Sequence, residues 1–217
     1  YTSFGGIVQA WSLCTEVTFY LLIPLWASGL ARAARRLRGT SLAVAHVVGC
    51  GVLWAVGVAG RVAMEQWWPS RRGISFNWLL TNLDLFATGM VLAVVSAWAA
   101  AEPALGARLD RWARSVWPYW AVAVALFAWY AYRVGPVPFD PGYTGWFWHR
   151  RQFVLAAVSG LLMFPAIFGP AERGAARRLW AARPLVWVGT VSYGWYLWHF
   201  DWMKRAVSAP GRAGWDA

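Results

Sequence analysis

Ionisable side chains are scarce in the apolar parts of this chain, and three polar groups stand out by their spacing. Glu16 has Ser12 four residues before it and Tyr20 four after, so the three share one face of a helix. Asn77, Thr81, Asp84 and Thr88 follow at intervals of 4, 3 and 4, a second one-sided stripe. Ser192, Tyr196 and His199 are spaced 4 and 3, with Tyr193 beside them. Two carboxylates and an imidazole are groups that move protons or polarise a hydroxyl. Inside an apolar helix such a group costs about 2.5–3.5 kcal/mol on insertion scales, so it faces a cavity or a partner.

The elements that carry these residues are membrane helices. Of 217 residues, 59% are hydrophobic and 13% charged, with 19 Trp, and mean hydropathy is +0.42. Soluble domains carry about 25% charged residues, and Trp is favoured where lipid meets water. Six runs are long enough to cross about 30 Å of hydrocarbon: Trp11–Ala31, Ser41–Gly60, Trp78–Trp98, Trp117–Tyr132, Gln152–Phe168 and Leu185–Met203. None alternates with period two, which excludes a barrel. The expectation is an all-α, multi-pass transmembrane bundle of about six spans, a single domain over residues 1–217.

The formal charge of +11 sits mostly in short connections. Arg32, Arg35, Arg36 and Arg38, then Arg108, Arg111 and Arg114, then Arg173, Arg177, Arg178 and Arg183 fall on one face if the spans alternate. The positive-inside rule makes that face cytoplasmic, placing the protein in the cell membrane with the lipid bilayer as its partner. Placement in loops argues against nucleic acid. Cys14 and Cys50 lie in apolar runs with no disulfide or metal spacing, no Cys/His cluster suggests a metal, and no Gly-rich loop cradles phosphates.

Depth links the three polar groups. Glu16 is five residues into the first span and Asp84 seven past Asn77, both about 8–10 Å from one membrane face. His199 is fourteen residues into a span that starts from the opposite face, about 21 Å, which leaves about 9 Å. The three reach similar depth, and meet if their helices are neighbours. Blander readings exist for each: Glu16 as an interfacial residue that snorkels to water, Asp84 as a tie between helices, His199 as a packing histidine. His46, alone on an apolar helix, reads as packing, and His149, beside Arg150 and Arg151 in a Trp-rich connection, as a solvated face or a head-group contact.

Three segments resemble the membrane acyltransferase 3 family. Trp11-Ser12-Leu13-x-x-Glu16-x-x-Phe19-Tyr20, followed by Leu21, Leu22 and Pro24, is similar to that family's "WSLxxExxFY" signature. "LDLFATGMVLAV" (Leu83–Val94) is similar to a segment with an Asp, an aromatic and a Gly-Met pair. "VGTVSYGWYLWHF" (Val188–Phe200) is similar to its "GxxSYxxYLWH" segment. The resemblance implies an integral membrane enzyme, with a core of roughly ten helices, that moves an acyl group, often acetyl, from acyl-CoA to a hydroxyl. Acceptors in such a family include cell-envelope polysaccharides, peptidoglycan and glycolipids.

The family's essential His lies in its first helix, which this chain does not reach, and a final span would follow its end. The chain is therefore expected to be an inactive C-terminal piece. Asp201 and Lys204 depart from the family's Pro and apolar run. The implied catalytic residues are Glu16 and His199, with Trp11, Ser12, Tyr20, Asp84, Ser192, Tyr193 and Tyr196 lining the cavity; acyl-CoA is the donor substrate and no cofactor is bound. A rival from another class is a proton-coupled transporter or permease subunit, since intramembrane Glu, Asp and His also form proton relays. Such proteins often show inverted repeats and broken half-helices, and neither is visible in these residues.

Overall fold

A computed structural model describes residues 10–36, 41–71, 75, 77–133, 145–169 and 175–207. Among them the chain is helical and contains no strand. In order the helices are α1 (Ala10–Arg36), α2 (Leu42–Trp67), α3 (Leu79–Ala101), α4 (Pro103–Trp112), α5 (Trp117–Tyr132), α6 (Gly145–Phe168), α7 (Ala175–Trp180) and α8 (Arg183–Val207), with a 3₁₀ turn at Pro69–Arg71. Each of the six expected spans coincides with a helix. Among the described residues α1, α2, α3 and α6 are long and apolar enough to cross a membrane. The 16 residues of α5 reach only about 24 Å at 1.5 Å each.

Helix ends follow local chemistry. Ser41 caps α2, its Oγ accepting from Val44 N at 3.2 Å. Proline stands in the first turn of α4 and of α5, where no N–H is lost to the helix ladder. Pro24 and Pro165 lie inside α1 and α6, a placement that membrane helices tolerate; at the end of α6, Gly169 N closes the last turn by donating to Pro165 O at 3.1 Å.

Two packed groups make up the bundle. In the first, α1, α2 and α3 enclose Leu53, Leu83 and Ala87, with Leu22 and Trp26 from α1 against them. Here α2 runs close to both neighbours because its contact positions are glycines. A Cβ on Gly57 would lie 2.7 Å from Asp84 N, and one on Gly49 would meet Leu30 of α1. Small residues of this kind let helix backbones approach in a membrane. In the second group α5 lies antiparallel to α6 around Ala123, Val154 and Val158, with Trp120 Nε1 donating to Leu162 O at 3.3 Å. The amphipathic α4 packs against α3 and α6 around Leu109, Ala113 and Phe168, with Leu92, Val95 and Ala99 of α3 beside them.

The outer surface is strongly apolar. Leu25 is 72% exposed and Trp117 74% exposed, far from the pattern of a soluble surface and suited to lipid. Helix α8 differs from the rest. It packs on α7, and none of its described side chains is buried.

Candidate functional site

The deepest polar feature is a charge pair between α2 and α3. Arg61 and Asp84 are both fully buried. Arg61 Nη1 donates to Asp84 Oδ1 at 2.6 Å and Nη2 to Asp84 Oδ2 at 2.8 Å, a two-pronged geometry. The same Nη1 donates to Thr81 O at 2.8 Å. Arg61 Nε donates to His149 Nδ1 at 3.3 Å, so that nitrogen carries no proton and the ring is neutral. The guanidinium also lies 5.8 Å from the Phe153 ring centre.

Neighbouring side chains tighten this assembly. The Thr81 hydroxyl proton is shared between Ser75 O at 2.5 Å and Trp78 O at 3.0 Å, and Thr88 Oγ1 donates to Asp84 O at 2.8 Å. One turn beyond Arg61, Glu65 Oε1 accepts from Gly145 N at 3.1 Å, at the first turn of α6. Three helices are thus joined by groups that satisfy one another, as buried charge requires.

Beside it lies a groove of about 610 Å³ between α1 and α3. Ser12, Thr15, Glu16, Phe19 and Tyr20 form the α1 wall; Asn82, Leu85, Phe86, Gly89, Met90 and Ala93 form the α3 wall. Phe19 stacks on Phe86 with ring centres 4.0 Å apart, and Thr15 Oγ1 donates to Asn77 O at 2.7 Å. Glu16 is half-buried, and among the described residues it has no hydrogen bond or ion pair. Asn82 is tied down on both ends of its amide: Oδ1 accepts from Gln152 Nε2 at 2.9 Å, and Nδ2 donates to Trp78 O at 2.9 Å.

The expected residues therefore divide. Ser12, Glu16 and Tyr20 do share a face, and that face is one wall of the groove. Trp11 belongs to α1, but its side chain lies outside the described residues. Asp84, expected in the same cavity, is instead turned toward α2 and closed off by Arg61. The reason is angular: residues 81, 84 and 88 face α2, whereas 82, 85, 86, 89 and 93 face α1.

His199 is not brought to Glu16. Its Nδ1 donates to Tyr196 O at 2.6 Å within α8, and the side chain is exposed. Tyr193 and Tyr196 form ring contacts along the same helix, and Ser192 Oγ donates to Gly189 O at 2.8 Å. Similar depth did not make neighbours, because α8 attaches through α7. The described residues hold no group of three or more His, Cys, Asp or Glu able to bind a metal.

Arg61, His149, Asn82 and Gln152 escaped the sequence reading. Arg61 looked like a loop charge because the apolar run stops at Gly60. Nothing breaks the helix before Pro69, however, and α2 continues to Trp67. The signal was Glu65, one turn after Arg61, with no Pro or Gly between them. His149, read as a solvated face, belongs to the first turns of α6 and is half-buried against Arg61. His46 donates from Nδ1 to Leu42 O at 2.8 Å within its own helix.

The chain is similar to a peptidoglycan O-acetyltransferase. Over 203 residues, 92% of its length, it is 26% identical to peptidoglycan O-acetyltransferase OatA of Listeria monocytogenes. It spans 30% of that protein's length. No protein-family model matches it, and no solved structure matches it significantly. The likeness supports an acyltransferase at a coarse level, and the apolar helices support a membrane protein.

Proposed function

We propose that this chain forms part of a membrane O-acyltransferase that moves an acyl group, in the first instance acetyl, from acyl-CoA to a hydroxyl of a cell-envelope carbohydrate or glycolipid. The observation that carries this reading is the likeness to OatA, which runs through 92% of the chain. In the reaction the acceptor O–H loses its proton to a general base while its oxygen attacks the thioester carbon. The C–S bond then breaks and CoA leaves as the thiol after taking a proton.

Glu16 is the acid–base group on the groove wall, and its assigned role is to orient and polarise the base. A carboxylate with no partner among the described residues is available for that task, whereas Asp84 is fully engaged. The Arg-rich helix ends, including Arg32, Arg35 and Arg36 of α1, are assigned to the phosphates of acyl-CoA.

The test uses the whole protein in membranes supplied with radiolabelled acetyl-CoA, with label counted on purified envelope glycan. Glu16→Gln is expected to cut transfer about 10²-fold or more at unchanged expression. Unchanged transfer removes Glu16 from the mechanism, and absence of label with the unaltered protein removes the acyltransferase reading itself.

A further inference from the structure

The α3 wall of the groove carries one polar residue that the stripe of Asn77, Thr81, Asp84 and Thr88 does not include. Asn82 faces α1, and two contacts fix the relative direction of the helices. Phe19 stacks on Phe86, and the Thr15 hydroxyl donates to Asn77 O, so α1 and α3 run parallel. Glu16 lies three residues before Phe19, and Asn82 lies four before Phe86. At 1.5 Å per residue, Glu16 sits about 4.5 Å and Asn82 about 6 Å from the ring stack, on the same side of it. A carboxylate and a carboxamide therefore line opposite walls of one groove.

Asn82 is held in one orientation from behind. Gln152 of α6 is 3% exposed, and its Nε2 donates to Asn82 Oδ1 at 2.9 Å. The other end of the Asn82 amide donates to Trp78 O at 2.9 Å. A buried glutamine thus spends its side chain on fixing the amide of a groove residue.

Charge selects the kind of ligand. Among the described residues no Lys, Arg or His lines the groove, and Glu16 is the single charged one. A phosphate, a pyrophosphate or the nucleotide of CoA would face repulsion there without a compensating cation. A neutral ring bearing hydroxyls fits: an O–H donates to Glu16, and the apolar face of the ring lies against Tyr20, which is 63% exposed.

We propose that the groove between α1 and α3 is the site for the acceptor sugar, with Glu16 accepting its hydroxyl and Gln152 acting as a positioning residue that holds Asn82 beside it. The catalytic side of this assignment rests on the acyltransferase reading; sugar binding does not and can be measured alone. The neutral disaccharide N,N′-diacetylchitobiose is the probe, and the whole protein in sugar-free nanodiscs is the receptor. Saturation-transfer NMR is expected to label the sugar with the unaltered protein and to lose most of that signal with Glu16→Gln or Tyr20→Ala. No transfer, or transfer that both variants preserve, overturns the site.

Kinetics supply the second arm. Gln152→Leu is expected to raise the acceptor KM about tenfold while leaving the acetyl-CoA KM unchanged, a split that general loosening of the fold would not produce. A rise in the acetyl-CoA KM instead places the donor in the groove and overturns the assignment. If the sugar binds but no acetyl is transferred by the unaltered protein, the acyltransferase reading fails and the sugar site stands.

Discussion

Two carboxylates on parallel helices meet opposite fates in this fold. Asp84 is fully buried, doubly bonded to Arg61 and surrounded by Thr81, Thr88 and His149. Glu16, on the neighbouring helix, is half-buried on a groove and has no hydrogen bond or ion pair among the described residues. Both types are costly in an apolar helix. The fold offsets that cost for Asp84 with a guanidinium, and leaves Glu16 to whatever enters the groove. Polar residues in a membrane helix thus separate into those that hold helices together and those held ready for a ligand.

Breaking the Asp84 side of this contrast should have the largest effect on stability. Asp84→Ala leaves Arg61 buried without a counter-charge and is expected to cost about 3–5 kcal/mol, read as loss of folded protein on thermal unfolding in detergent. Replacing both partners together, Arg61→Met with Asp84→Ala, should recover part of that loss in a double-mutant cycle. Additive losses would show that the two side chains act independently and would dissolve the contrast.

A smaller effect follows from the glycine that lets the pair form. Gly57→Ala puts a methyl against the backbone of Asp84, 2.7 Å from its N, and should cost about 1–3 kcal/mol through displacement of α2 from α3. Unchanged unfolding would mean the helices shift apart without strain. The smallest effect is expected at the other carboxylate. Glu16→Gln removes no ion pair present among the described residues and should change stability by no more than about 0.5 kcal/mol, in contrast to its effect on transfer. A stability loss as large as that of Asp84→Ala would show that Glu16 also holds helices together.

These contrasts also mark what could be read in advance. Continuous apolar runs placed the helices, since backbone polar groups in lipid must be satisfied within a helix. The Ser12, Glu16 and Tyr20 face was legible because a period of 3.6 sets it whatever the neighbours are. Which face meets which helix was not. The stripe through Thr81 and Asp84 was correctly one-sided, yet it turned to α2, and only the packing reveals that Asn82 faces α1. Arg61 shows a second gap. An apolar window ends where a charge begins, but the helix ends where capping or proline ends it, here after Trp67. The Gln152–Asn82 bond joins residues 70 apart, and no local pattern encodes it.

The Arg61–Asp84 pair has a consequence for how the protein reaches the membrane. Synthesis proceeds from the N-terminus, so α2 arrives with Arg61 before α3 exists to neutralise it. An unpaired Arg or Asp costs up to about 2.5–3.5 kcal/mol on insertion scales, the value at a helix centre, and Arg61, six residues before the end of α2, and Asp84 each carry part of it. Together, in a bidentate pair, the two charges cancel before either meets hydrocarbon. The hairpin of α2 and α3, not the single helix, is then the unit that partitions into the bilayer.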